Sequence, residues 1–369
     1  MDLTDAVPRR PLFEGFDETF AGFEHRHIGK TIHMKEEVKI LTLPNGVEIK
    51  FEQIIALAGD FYGLPENPII DPCKEETEED SGRDVRFRNA YETLACAPKD
   101  ELQKELNKLL ATLEKETEEG RSIDSKTWDE ITGGKWFFGL PVKEGRMLEL
   151  AENNHDHFLP YAKDAYLTGH QLAIEKAREA SHSPQDPALK KKLLHEAFSM
   201  EAFACHFLTD SFASGHIRTP RVELGKATTL GKDGHLLCKY MHDEDNKYGL
   251  RVTNLRGDKW IAYGDGMLLK EKSKDNLKVA AEAVQKSVDQ VYEAYTNPSG
   301  SLDPSQVTDL IPFVDQEERN NSPMFQMIDG KLLRRSNLND LQGTTTTASW
   351  WGPTTVAMLQ VYKPENSAI

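Results

Sequence analysis

Between Glu201 and Arg221 the chain reads EAFACHFLTDSFASGHIRTPR. Ala202, Phe203, Ala204, Phe207, Leu208 and Phe212 form an apolar run of helical character, with His206 and Asp210 inside it. Positions i and i+4 share one face of an α-helix, one turn apart. A carboxylate buried there without a partner is strongly unfavourable. The chain can fold only if other segments, or a metal ion, supply that partner. His206 and Asp210 together can reach a single ion. His216 lies a further six residues on, about 240° round an ideal helix and off that face. Gly215 is expected to end the helix and swing His216 toward a second, neighbouring ion, with Asp210 able to bridge the two. Imidazole and carboxylate together suit zinc.

Other segments carry similar chemistry. His25, His27 and His33 crowd one stretch, His155 and His157 flank Asp156 in AENNHDHF, and His242 opens HDED. Imidazole and acid on separate segments predict a cleft that collects several ions and keeps an open position for water, as catalytic zinc sites do.

The bulk numbers fit that picture. Length is 369 residues, with 38% hydrophobic and 29% charged residues and a formal net charge of −16. This balance argues against broad nucleic-acid binding, which needs a basic footprint. No nucleic-acid partner is expected. No apolar run has the length of a signal peptide or a membrane span, so a cytoplasmic location is expected. Cys73, Cys96, Cys205 and Cys238 are far apart without a CxxC pair, which reads as free thiols.

The periodicity predicts a mainly α fold with added β-hairpins. EVKILTLPNGVEIKF turns at Pro44-Asn45-Gly46, and LRVTNLRGDKWIAYGD turns at Gly257-Asp258. Helices are expected from about Phe51, over 87–118, from Asn153 to Ala180, from Asp186 to Ser214, and over 270–295. Residues 1–297 read as one helical domain. Residues 298–369, richer in Pro, Ser, Thr and Asn, read as an extension packed on the same body, with TTTTASWWGPTTVAML a strand-like coda.

His206-Phe207-Leu208-Thr209-Asp210 followed by His216 resembles the central motif of the zinc-dependent phospholipase C family, whose fold fungal single-strand-specific zinc nucleases share. The fuller run HFLTDSFASGHIRTPR, with GDFYG upstream and MHDEDN downstream, resembles the bacterial phosphatidylcholine-hydrolysing type. The likeness covers residues 150–220 well and the flanks piecemeal. It implies two or three Zn2+ ions. His157, His206 and Asp210 match ligands of one metal. Asp60 matches an aspartate on that ion that is also a proposed general base, with a long insertion between it and His157. His216 opens the second site, which the family closes with His-x3-Glu or His-x3-Asp. That pair is missing here, and His242 with Asp245 is the expected substitute. His25 fits the third ion's histidine better than His27. With no tryptophan near the N-terminus, that third site is either remade or absent. Phe61, Tyr62 and Phe158 either face a choline head group by cation–π attraction or belong to the core. The resemblance implies a phospholipase C that releases diacylglycerol and a phosphorylated head group at a membrane surface. A single-strand nuclease and a non-catalytic zinc scaffold are the alternatives.

Overall fold

The structure is a computed structural model that describes residues 22–72, 82–120, 123–137, 140–183, 186–227 and 232–369. Fourteen α-helices and ten short strands occur among these residues. The first half holds α1 (Gly22–Thr31), α2 (Phe51–Leu57), α3 (Arg83–Ala95), α4 (Lys99–Glu119), α5 (Ser125–Ile131), α6 (Arg146–Glu152) and α7 (Tyr161–Ser181). Next come α8 (Pro187–Asp210), α9 (Ser214–Ile217), α10 (Arg221–Lys226) and α11 (Asp233–Tyr248). The last helices are α12 (Lys274–Thr296), α13 (Ser305–Thr308) and α14 (Gly352–Leu359). The fold is mainly helical, as the periodicity predicts.

The central element is α8, which packs along α7 and is flanked by α2 and α12. Asp186 caps its start by accepting from the amides of Ala188 and Leu189, and Pro187 occupies the first turn, where a missing N–H does no harm. Its second half, Ala197 to Asp210, is buried on every side. A helix that is apolar all round must be enclosed by others. His206 and Asp210 are carried into the interior by that enclosure.

The strands form four small antiparallel sheets. They are β1 (Leu41–Thr42) with β2 (Glu48–Ile49), and β3 (Lys135–Phe137) with β4 (Leu140–Lys143). In the third, β5 (Leu250–Thr253) lies between β6 (Lys259–Ala262) and β7 (Phe313–Val314). The fourth has β9 (Lys331–Arg335) between β8 (Phe325–Ile328) and β10 (Thr346–Thr347). Val252 pairs with Val314, so chain beyond residue 297 completes a sheet begun before it. A second apolar cluster joins Phe158, Leu237 and Met241 to Met324, Phe325, Leu338 and Leu359. Arg335, fully buried, forms a double hydrogen bond with Glu244 of α11 at 2.9 and 2.7 Å.

Several boundaries differ from the expectation. The 87–118 helix is two, α3 and α4, parted at Pro98, which cannot continue a helical ladder. Before α7 stands a single 3-10 turn, His155–His157. α8 stops at Asp210, ahead of Gly215, and Gly215 sits inside α9. That glycine is required by a close approach: a Cβ there would lie 2.5 Å from the carbonyl oxygen of His242 and 2.7 Å from Oδ1 of Asn246. The coda contains β10 but ends in α14.

Candidate metal centre

Asp210 is the hub. It is fully enclosed, and four imidazoles surround it. Oδ2 lies 2.9 Å from Nδ1 of His157 and 3.5 Å from Nε2 of His206. Oδ1 lies 3.6 Å from Nε2 of His25 and 3.6 Å from Nδ1 of His216. The loop after α2 brings Asp60 to the same place, with Oδ2 3.4 Å from His206 Nε2 and Oδ1 3.9 Å from His157 Nδ1. Gly59 makes this approach possible. Its φ of +75° is costly for other residues, and a Cβ would lie 2.6 Å from Cδ2 of His206 and 2.8 Å from Cε1 of His157.

The donor set fits a metal ion. His157 Nδ1, His206 Nε2 and Asp210 Oδ2 form a triangle with sides of 2.9, 3.4 and 3.5 Å. Ligands about 2.0–2.1 Å from a tetrahedral zinc stand roughly 3.3–3.4 Å from one another. Asp60 lies beside this triangle, grouped through His206 with His25. Despite its close neighbours, Asp210 Oδ2 has no aligned hydrogen-bond donor, so a buried anionic oxygen is left with lone pairs free.

The remote ring nitrogens are held as metal-ligating histidines require. His206 Nδ1 is 2.8 Å from the Ile55 carbonyl oxygen, and His216 Nδ1 is 2.6 Å from that of His157. His242 Nδ1 is 2.8 Å from Oδ1 of Asp243. Each arrangement directs Nε2 inward. His216 and His242 meet Nε2 to Nε2 at 3.0 Å, which needs a proton or a cation between the two nitrogens. His25 Nδ1 is 2.7 Å from the Thr209 hydroxyl. The ligand atoms fall into three groups that could each hold a metal ion: His25, Asp60 and His206; His157, His206 and Asp210; and His216, His242 and Asp265.

The charges of these side chains compensate one another. Burial alone would raise the Asp210 carboxyl, but His206, His157 and His216 hold it far below the usual range. Burial lifts Asp60 to about 8, with His157 opposing and Asp210 and Asp265 reinforcing the rise. His157 is raised to about 10, because Asp210, Asp60 and Asp156 outweigh its burial. Burial lowers His206 to about 3 and His216 to about 4, against the pull of Asp210. His242 is raised to about 9, since its hydrogen bonds to Asp243 and Asp265 overcome burial.

Seven of the eight expected residues therefore converge: His25, Asp60, His157, His206, Asp210, His216 and His242. Asp245 does not. Its carboxylate faces away and is taken up by a bidentate pair with Arg218, at 2.9 and 2.7 Å. The acid beside His242 is Asp265, with Oδ2 3.2 Å from Nε2, delivered by the loop after β6. Local spacing carries no trace of it. The residue one turn on from His242 is Asn246, whose Oδ1 accepts from the Gly215 amide at 2.6 Å. Two arginines of HIRTPR act as struts. Arg218 ties α9 to α11, and Arg221 holds Asn154 and the carbonyls of Ala151 and Glu152 ahead of the His157 turn.

Phe61, Tyr62 and Phe158 are buried and belong to the core. Phe61 packs on Trp128, Tyr62 lies under the Arg146 guanidinium, and Phe158 stacks on the His216 ring. Cys96, Cys205 and Cys238 are free thiols, while Cys73 lies outside the described residues. No helix among the described residues is long and apolar enough to cross a membrane. Compared with protein-family models, with curated proteins and with solved structures, the chain matches none.

Proposed function

We propose that the protein is a zinc-dependent phosphodiesterase of the phospholipase C type, acting on phosphatidylcholine-like lipids. The observation that carries the metal reading is the triangle of His157, His206 and Asp210 atoms at zinc-ligand spacing, with Asp60 beside it. The choice of phosphodiester and lipid rests on the resemblance of HFLTDSFASGHIRTPR and on the acidic balance of the chain.

Zinc bound by these residues would lower the pKa of water and neutralise charge on a phosphate. Asp60 is the general base. Its side chain keeps 22% of its surface exposed, where Asp210 keeps 3%, so it stands at the accessible side of the cluster. Burial lifts this carboxyl to about 8, but zinc bound beside it would favour the ionised form, which could then accept the proton of an attacking water. Asp210 and the imidazoles orient the site and hold its charge. Asp265 closes the group with His216 and His242, the place expected of Asp245.

Elemental analysis of the purified protein, with turnover of phosphatidylcholine beside single-stranded DNA, tests the reading. Stoichiometric zinc and chelator-sensitive release of diacylglycerol are expected. DNA cleavage without lipid turnover would make it a nuclease, and zinc without either activity would make it a scaffold.

A further inference from the structure

Asp265 completes the group of His216 and His242, yet it sits on a loop, between two glycines, Gly264 and Gly266. Glycine loses more backbone freedom on folding than other residues, so such a stretch needs outside support to keep one conformation. Two contacts, one on each side of Asp265, supply it. At the root, the Gly264 amide donates to the carbonyl oxygen of Asn246 in α11 at 3.3 Å. Asn246 is packed so closely there that a Cβ on Gly264 would lie 1.6 Å from its Oδ1. Beyond Asp265, the amides of Gly266 and Leu268 donate to Oε2 and Oε1 of Glu24, at 3.1 and 2.9 Å. Both carboxylate oxygens are thus committed to one loop.

The surroundings of Glu24 are the second observation. It is buried in α1, and among the described residues no cationic side chain pairs with it. A carboxylate enclosed without a counterion is strongly unfavourable unless its oxygens are hydrogen-bonded. Asp265 stands close enough to repel it as well. A cation held by Asp265 would offset that repulsion. Such a carboxylate suits the support of a site that is positively charged when filled.

The next residue on α1 faces the other side of the centre. Consecutive residues stand about 100° apart round a helix. His25 places Nδ1 2.7 Å from the Thr209 hydroxyl and Nε2 3.6 Å from Oδ1 of Asp210. Glu24, His25, Thr209 and Asp265 line one cavity.

We propose that Glu24 is a positioning residue for the centre: it fixes the loop that presents Asp265, so that filling of the His216, His242 and Asp265 group depends on α1. Glu24 acts through the loop and not as a ligand, since its two oxygens are taken by amides. This role rests on the metal reading of the centre.

Full-length protein is titrated with zinc chloride against a chelating indicator, and bound zinc is counted by elemental analysis. Glu24→Gln keeps the volume and one acceptor oxygen, but turns an N–H toward one of the two loop amides. One zinc equivalent should weaken by about 10- to 100-fold, the range for residues that orient metal ligands, with the remainder held as in wild type. Asp265→Asn should weaken the same equivalent, and the double variant should lose no more than Asp265→Asn alone. Additive losses, or unchanged zinc affinity with stability lowered in urea, would overturn the proposal, because Glu24 would then be a packing residue only. The wild-type chain supplies a check that needs no variant. Zinc should slow hydrogen exchange of the Gly266 and Leu268 amides by about tenfold or more, and exchange indifferent to zinc would overturn the clamp. No zinc in the wild type would overturn this role and the metal reading together. Zinc in the wild type with unaltered affinity in Glu24→Gln would overturn this role alone.

Discussion

Asp210→Asn probes the centre most directly. The substitution keeps the shape of the side chain and removes one negative charge from the middle of four imidazoles. The nearest ring nitrogens stand 2.9, 3.5, 3.6 and 3.6 Å from the carboxylate. Any cation they share is therefore close to it. At about 4 Å and an effective permittivity of about 20, one unit charge pair is worth roughly 4 kcal/mol. Losing that much weakens binding by about a thousandfold per ion. Asp210 belongs to the His157–His206 group through Oδ2, and its Oδ1 lies 3.6 Å from the His216 ring, so loss of its charge should empty the first group and weaken the neighbouring one. His216→Ala removes a neutral ligand from the second group and should deplete chiefly that one. The expected order is that Asp210→Asn loses more zinc and more phosphatidylcholine turnover than His216→Ala, with far-UV circular dichroism unchanged in both. Wild-type zinc and turnover in Asp210→Asn would refute the reasoning and leave this aspartate as an ion-pair partner of His157.

Asp265→Asn should lower zinc content, whereas Asp245→Asn should leave zinc unchanged and reduce stability by about 3 kcal/mol through the stranded Arg218, read by elemental analysis and chemical denaturation. Gly59→Ala should lose activity and metal together, because a methyl group there displaces the rings of His157 and His206; full activity would show that the loop moves freely. Glu116 gives a pH test away from the centre. Burial lifts its carboxyl from 4.5 to about 8, opposed by the Ile123 amide. The folded state thus keeps a proton that the unfolded chain releases, so this group's contribution to stability falls as pH rises through that window and is level on either side. Glu116→Gln should match wild type near the acid end and exceed it by a few kcal/mol above about pH 8, measured by urea denaturation across pH; a constant difference would refute the assignment.

The sequence by itself determined what is local. The His206–Asp210 pair follows from the helical period, since residues four apart share a face whatever surrounds them. The apolar run around them announced that this face is interior, and α8 and α12 follow from the same periodicity. His25, Asp60 and His157 were legible only through motif resemblance, because nothing in their own spacing links them to α8. Tertiary structure alone decided the rest. Asp245 and Asp265 are both acids within reach of His242 along the chain, and spacing favours the first. The outcome turned on where Arg218 stands, which claims Asp245, and on the loop after β6, which delivers Asp265. The helix likewise stops at Asp210, ahead of Gly215, whose place in α9 is fixed by Asn246 of α11, which accepts its amide. Contacts between segments distant in sequence have no period, so a linear pattern cannot encode them; they exist only once the helices are packed.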